Sequence, residues 1–529
     1  MSTFTESAWE RLRGTTSLVG ALLTPTARHD LDWILRWWLT AASAKVLVHE
    51  FALFRLDRRS SLDALASPGS ETGSELYRAF VAHLLAGDWE AVGLEYPEWD
   101  RLRGLVIDQW VDGTAELLER LARDRDVLQR RFAGGCRIGK LLAVRPLSDD
   151  RHREGRTVLE LGFVHGARVV YKPRPVGIEV WFGQLLSWLS GERPSLLDPG
   201  TCSIVDRGTY GWSEFIPVRS CRSIDAVSRF FQRSGALLAV LHALGSVDCH
   251  LENLIAHGEH PVLVDAETVL QPRPRLWRRP SVDSCPQDRT EVAGVLETGF
   301  LPRPSRRDDA DTSGLDGGRI TRPIEGALVW RGINTDRMAL VDGTASSMNT
   351  ANGAYLGSQR VDPCRHEAEL LLGFDSMYAR LVEMRPSLLE SSLWKSARGC
   401  AIRFLARSTS TYWLMALESL EPRFLRNGST RRGELERLFV VRDACADAAR
   451  ILPLLQAEVD ALARLDVPAF YVPSDDRDLQ LQADTIPGFF QESGLGRSAR
   501  RIGRLGPEDQ ARQHDLIRQS LATVATSSP

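Results

Sequence analysis

The sequence predicts an α+β protein, with a short β-rich core set inside helical chain at both ends. Three observations predict it. From about residue 29 to residue 133, apolar residues recur at intervals of three and four. From Ile138 to Tyr171 that period gives way to short runs of β-branched residues, and after about residue 365 the helical period returns. Helical, then β-rich, then helical is the order of an α+β core with helical elaborations.

Taken in order, "LDWILRWWLTAASAKVLVHEFALF" is the most apolar early segment. Arg36, Lys45 and Glu50 interrupt it within a spanning length, so it reads as a buried helix rather than a membrane anchor. "EWDRLRGLVIDQWVDGTAELLERLARDRDVLQRRF" carries charges between its apolar positions and predicts one or two amphipathic helices, broken at Gly134-Gly135. "TVLELGFVHGARVVYK" is two β-branched runs joined at His165-Gly166, a hairpin pattern. "GIEVWFGQLLSWLSG" predicts a helix closed by Gly191, and "GTYGWSEFIPV" a strand entering a linker at Pro217. A further helix, "AVSRFFQRSGALLAVLHALG", delivers the chain to "GSVDCHLENLIAHGEHPVLVDAETVL". Residues 271–325 cluster Pro, Arg, Asp and Gly, the composition of a functional or disordered loop. No internal repeat is present.

Bulk properties narrow the class. The chain has 529 residues, 43% hydrophobic and 26% charged, which is ordinary for a globular protein large enough for one elaborated domain or several. A formal net charge of −3 gives no sequence-independent pull toward nucleic acid or an anionic membrane. Only Lys45, Lys140, Lys172 and Lys395 are lysines among 66 basic residues, so the position of a lysine carries information. The eight cysteines form no CxxC pair, which predicts reduced thiols in a cytoplasmic protein. "MSTFTESAWERLRG" is not a secretory signal.

Phosphoryl transfer from ATP needs a cation at the phosphates, a carboxylate for the acceptor hydroxyl, and oxygen ligands for Mg2+. Asp248 is followed five residues later by Asn253, and two apolar strands about Gly258 then lead to Asp265. Upstream, Lys172 ends the strand "ARVVYK". Taken singly, a D-x-H-x-x-N loop is common turn and capping chemistry, and Lys172 is a solvated strand end. Glu267 taken singly is a surface carboxylate, and Cys249 a small buried filler. In order, strand lysine, helix, strand, helix, D-x-H-x-x-N, hairpin and D-x-E make a kinase-like site.

The wording of the motifs goes further. "DRHREGRTV", "VYKPRP", "YGWSEFI", "VDCHLENLIAHGEHPVLVDAETV", "VLETGFLP", "DTSGLDG" and "NTDRMAL" resemble the dehydratase domain of class II lanthipeptide synthetases, the LanM type. So do "LEYPEWDRL", "GFDSMYARL", "RFLARSTSTYW" and "EVDALARLDVPAFYVPSDDRDL", and the resemblance runs from about residue 90 to about residue 525. It implies a lipid-kinase-like core and a two-step reaction on a precursor peptide. ATP phosphorylates a Ser or Thr side chain, and elimination of phosphate then leaves dehydroalanine or dehydrobutyrine. Carried over residue by residue, Lys172, Asp248, His250, Asn253, Asp265 and Glu267 fall on phosphorylation and metal positions, with Asn253, Asp265 and Glu267 as the metal group. Glu179 and Glu214 join Lys172 on the nucleotide side, with Glu179 as its ion-pair partner. Asp150, His152, Arg403 and Thr409 fall on elimination positions.

Elimination requires removal of a weakly acidic α-proton and stabilisation of the departing phosphate. A guanidinium fork suits the phosphate, and a threonine hydroxyl adds a donor. If "RFLARSTSTY" is helical, Arg403 and Arg407 stand one turn apart. His152 and Asp150 remain alternative bases.

The expected division is a helical region over 1–135, an N-lobe over 136–220, the catalytic and metal loops over 221–365, and a helical region with the elimination motif over 366–529. Full-length synthetases add a zinc cyclase with a Cys-His pair. The only such pair here, Cys249-His250, lies in the catalytic loop, so dehydration without ring formation is expected. Expected partners are a precursor peptide with its leader and a separate cyclase or other modifying enzyme, not nucleic acid or membrane. The alternatives are a kinase that stops at phosphorylation and a non-catalytic peptide-binding relative.

Overall fold

Alternation of apolar and charged residues at helical spacing makes long helices of the N-terminal region. The computed structural model describes residues 2–58, 73–191, 198–275, 294–302, 311–316, 324–345, 351–440, 448–482 and 484–525. "EWDRLRG…QRRF" forms a single helix, Pro97–Phe132. Proline opens it, where its missing N–H is no loss; Glu98 and Asp100 lie in the first turn and Arg130 and Arg131 in the last, complementing the helix dipole.

Strands and helices mix through the chain, which forms two compact units built from non-adjacent segments. The first comprises Met1–Arg168, Pro323–Ala345 and Arg407–Pro468; the second comprises Val169–Arg322, Ser346–Ala406 and Ala469–Pro529.

In the first unit, the helix Pro25–Arg58 buries Leu31, Ile34, Leu35, Trp38, Leu39 and Val46. Two long-helix tryptophans find acceptors there: Trp110 Nε1 donates to the Leu31 carbonyl and Trp99 Nε1 to Ser43 Oγ. Strands Leu141–Pro146 and Leu159–Phe163 pair antiparallel, as do Ile324–Arg331 and Ala339–Ala345. A separate apolar cluster of Tyr412, Met415, Leu435, Phe439, Val459, Leu462 and Val467 joins the helices Thr409–Ser419, Gly428–Val440 and Ala448–Ala463. Each such large side chain contributes roughly 1.5–3 kcal/mol on burial.

The second unit opens with the strand Arg168–Lys172, antiparallel to Gly211–Glu214, which pairs in turn with Ile204–Asp206. The helix Gly177–Ser190 follows and ends at Gly191, whose φ of 56° lies in the left-handed region. The helix Ile224–Leu244 is buried on nearly all sides, capped by the Ser223 side chain and closed at Gly245. It crosses the helix Glu367–Glu390 at two glycines. A Cβ on Gly235 would stand 1.9 Å from the Leu370 carbonyl oxygen, and one on Gly373 1.7 Å from that of Gln232. Leu254–His257 and His260–Leu263 form the hairpin about Gly258.

The C-terminal region departs from the helical expectation. Arg403 lies on the strand Ala401–Phe404, which pairs with Phe470–Pro473 in a four-stranded sheet completed by Leu479–Gln480 and Thr485–Ile486. The next helix begins only at Thr409, with Ser408 as N-cap, so Arg403 and Arg407 do not share a helical turn. Ile402 and Phe404 are buried in alternation with Arg403, but four residues of period two are easily lost beside a helical pattern. Of the 271–325 segment, residues 276–293, 303–310 and 317–323 lie outside the described residues; Val295–Thr298 forms a 3-10 turn. Among the described residues, no helix is long and apolar enough to cross a membrane.

Candidate functional site

The loop after Gly245 is shaped by backbone chemistry. Asp248 adopts a φ of 61°, a left-handed conformation that Asp tolerates better than most residues. Asn253 Nδ2 donates to the Asp248 carbonyl at 2.8 Å, and Asn253 N–H to the His250 carbonyl at 3.0 Å. Two motifs from further along the chain hold the loop from outside. Cys249 N–H donates to the Thr298 carbonyl at 2.8 Å, and Leu251 N–H to that of Thr312 at 3.0 Å. Glycine is required at the contact: a Cβ on Gly314 would stand 2.2 Å from the Cys249 carbonyl oxygen. Asp248 is thus fixed by "VLETGFLP" and "DTSGLDG" as well as by its own neighbours.

The hairpin brings Asn253 and Asp265 together. Its register pairs Leu254 with Leu263, and Val264 N–H donates to the Asn253 carbonyl at 2.9 Å, so Val264 stands across from Asn253 and Asp265 is the next residue. With Nδ2 committed to Asp248, the Asn253 amide oxygen is the atom that could face a metal ion. Asp265 Oδ1 accepts from Glu267 N–H and from Arg174. One carboxylate and one amide oxygen suit Mg2+, which takes few protein ligands and completes its shell with phosphate and water. Glu267, expected in the metal group, has both oxygens engaged: Oε1 by Arg403 at 2.7 Å, Oε2 by Arg174 at 3.0 Å and by the Tyr471 hydroxyl. In this arrangement it is the counter-ion of both arginines. Among the described residues, no three His, Cys, Asp or Glu side chains cluster at metal-holding spacing.

At the end of the strand Arg168–Lys172, Lys172 Nζ donates to Glu179 Oε2 at 2.5 Å and to the Val264 carbonyl at 2.7 Å, and both side chains are buried. Glu214 stands at the opposite end of its strand: Gly211 is across from Lys172, whereas Glu214 is across from Val169, about 10 Å along the strand. Glu214 Oε2 accepts from Ser203 N–H.

Arg174, two residues after Lys172 in "VYKPRP", escaped the sequence reading. Its buried guanidinium pairs with Glu179 at 2.5 Å, Asp265 at 2.8 Å and Glu267 at 3.0 Å. In a chain whose cations are overwhelmingly arginine, nothing in its residue type distinguishes it; only its place two residues from the rare lysine could have flagged it.

Electrostatics follow from this packing. Lys172, Arg174 and Arg403 face Glu179, Asp265 and Glu267, so the buried charges nearly cancel. Burial raises the Asp265 carboxyl, but Arg174 and Lys172 outweigh it and hold the group down at about 2. Burial also works to lower the Arg403 guanidinium, yet Glu267, Tyr471 and Asp248 leave it raised. For Asp248, burial wins: the carboxyl titrates above its ordinary value although His250 and Arg403 oppose the shift. His250 Nδ1 accepts from Glu252 N–H at 3.3 Å, and its Nε2 lies 3.4 Å from Asn253 Nδ2 and 3.7 Å from Asp248 Oδ1.

Asp150, His152 and Thr409 belong to the first unit, whereas Arg403 belongs to the second with the phosphoryl-transfer candidates. Asp150 Oδ1 accepts from Trp413 Nε1 at 3.0 Å. His152 Nδ1 donates to the Val467 carbonyl at 2.7 Å, which puts the lone pair of the neutral ring on Nε2. Asp466 holds this loop in place, accepting from Glu154 N–H at 2.6 Å and Gly155 N–H at 2.8 Å. Thr409 is the first residue of its helix.

Comparison with known proteins bears on this arrangement. The chain is 23% identical over 346 residues to the Lacticin 481/lactococcin biosynthesis protein LcnDR2 of Lactococcus lactis subsp. lactis. The match covers 61% of this chain and 35% of that relative, so the chain spans about a third of the relative's length. A family model described as Domain of unknown function (DUF4135) matches residues 96–473, from the long helix of the first unit to the last residue of the strand Phe470–Pro473. The chain belongs to that family.

Proposed function

We propose that this protein dehydrates Ser and Thr residues of a ribosomally made precursor peptide, by phosphorylation from ATP and then elimination of phosphate. One observation carries the reading: Arg403 is buried against Glu267, which Arg174 joins to Asp265 and to the Lys172–Glu179 pair. A phosphate-binding arginine therefore belongs to the same side-chain cluster as the groups suited to phosphoryl transfer. The similarity to a lacticin 481 biosynthesis protein supports lanthipeptide biosynthesis as the setting.

In the first step Asp248 takes the proton of the acceptor hydroxyl as its oxygen bonds the γ-phosphorus, and ADP departs. Lys172, oriented by Glu179, neutralises the nucleotide phosphates. Asn253 and Asp265 would hold Mg2+, which would supply positive charge where the transferring phosphoryl group carries negative charge. In the second step a base removes the α-proton, the Cβ–O bond breaks, a carbon–carbon double bond forms, and inorganic phosphate leaves. Arg403 receives the phosphate, and of the two candidate bases we favour His152, whose Nδ1 is committed to a carbonyl and whose Nε2 carries the lone pair of the neutral ring. The β-rich segment with its strand lysine, the helix carrying Glu179 and the loop–hairpin metal pair support a lipid-kinase-like core. The substrate side comprises a leader-bearing precursor, with a separate cyclase acting on the product.

Incubation with ATP, Mg2+ and a Ser/Thr-containing precursor peptide tests the reading by mass spectrometry. Loss of one water per modified site is expected. Gain of a phosphoryl group without later loss would establish a kinase instead, and an unchanged mass with bound peptide would establish a binding protein.

A further inference from the structure

Within the first unit, a small cleft, open to solvent, is walled mainly by apolar side chains, among them Ala42, Leu417, Leu462 and the indole of Trp413. Arg151 also lines it, and Arg151 is the one arginine among the cleft residues. The guanidinium sits 5.1 Å from the Trp38 ring centre, and its Nη1 is buried without an acceptor. Burial pushes the group down to about 10, against a weaker opposing pull from Asp466. Asp466 does not close on it: that carboxylate is taken by the N–H groups of Glu154 and Gly155. A buried guanidinium with unused donors is expensive unless a partner arrives.

We propose that this cleft binds a peptide segment carrying one side-chain carboxylate between apolar residues, with the carboxylate on Arg151 and the apolar side chains against Trp413 and the leucines. The single cation and apolar walls match a monoanion on a hydrophobic stem. Asp149 and Asp466 also line the cleft and would repel the second charge of a phosphate monoester. The choice of a peptide as occupant rests on the function proposed above; the choice of a carboxylate rests on the cleft alone.

The test is fluorescence anisotropy with the full chain and three labelled peptides that differ at one position, Leu-Glu-Leu-Leu, Leu-Gln-Leu-Leu and Leu-phosphoserine-Leu-Leu. The Glu peptide is expected to bind about tenfold more tightly than the Gln peptide, the scale of one charge-assisted pair, and more tightly than the phosphoserine peptide. Arg151→Met, of similar length but uncharged, should abolish the Glu preference. Equal binding of the Glu and Gln peptides to the unaltered chain, absence of binding by the Glu peptide, or preference for phosphoserine would each overturn the proposal, whether or not the variant folds. A chain that discriminates Glu from Gln yet never dehydrates a precursor would keep this site and refute the proposed reaction instead.

Discussion

Arg403 and Glu267 are joined twice: the Arg403 guanidinium donates to Glu267 Oε1 at 2.7 Å, and the Arg403 backbone N–H donates to the Glu267 carbonyl at 2.9 Å. A strand residue is thereby locked to the D-x-E segment by main chain and side chain together. The guanidinium is held rigid, which is what a preorganised anion receiver needs.

Arg403→Ala should therefore leave phosphorylation in place and slow elimination by about 10²–10³-fold, the usual cost of one preorganised charge-stabilising donor. Phosphopeptide would accumulate in a mass-resolved time course. Full-rate dehydration by this variant would remove Arg403 from the second step.

Asp248→Asn should abolish both steps while stabilising the fold near neutral pH. Burial raises the Asp248 carboxyl, so its protonated form is the one the fold favours. The stability it contributes is present below the ordinary carboxylate range and is lost as pH rises through the raised value, and an amide avoids that loss. Thermal melts at pH 5 and pH 7.5 should show a larger gain for the variant at the higher pH. The acid limb of single-turnover phosphorylation should likewise lie above that of an ordinary aspartate.

Arg174→Met removes the one group, among the described residues, that pairs with Glu179, Asp265 and Glu267 at once. Leaving buried carboxylates without it costs about 3–5 kcal/mol, read as a fall in urea midpoint. Asp265 is held at about 2 chiefly by Arg174, so the stability it contributes is present above the ordinary carboxylate value and lost as pH falls toward 2. In the variant that acid-side loss should begin at higher pH. Coincident acid denaturation curves for variant and parent would sink this account.

Two glycines separate global from local packing. Gly235→Ala drives a methyl to 1.9 Å from the Leu370 carbonyl oxygen at a helix crossing and should lower the melting temperature sharply. Gly314→Ala drives one to 2.2 Å from the Cys249 carbonyl oxygen and should cut phosphorylation more than it cuts stability. Equal losses of stability in the two variants would contradict the division.

Much of this was legible in the sequence. The helix stops at Gly191 and Gly245, the hairpin about Gly258 and the placing of Asn253 and Asp265 at its two ends all rest on local spacing. What was not legible depends on partners distant in sequence. Arg403 becomes a strand residue because Phe470–Pro473 pairs with its segment, and Glu267 becomes a counter-ion because two arginines reach it. Arg174 acquires its place only when Glu179, Asp265 and Glu267 converge on it. The interleaved units were beyond a linear reading, since each is assembled from three separate stretches.

The loop bearing Asp248 is clasped through its backbone by Thr298 and Thr312, with Gly314 seated against Cys249. Such a loop cannot swing between two postures without breaking main-chain bonds on both sides. On the proposed reaction, one peptide residue must first present its hydroxyl oxygen and later its α-hydrogen. The shift between those poses then falls to the substrate, and the rate of turnover would track how freely the bound peptide can roll within a stationary site.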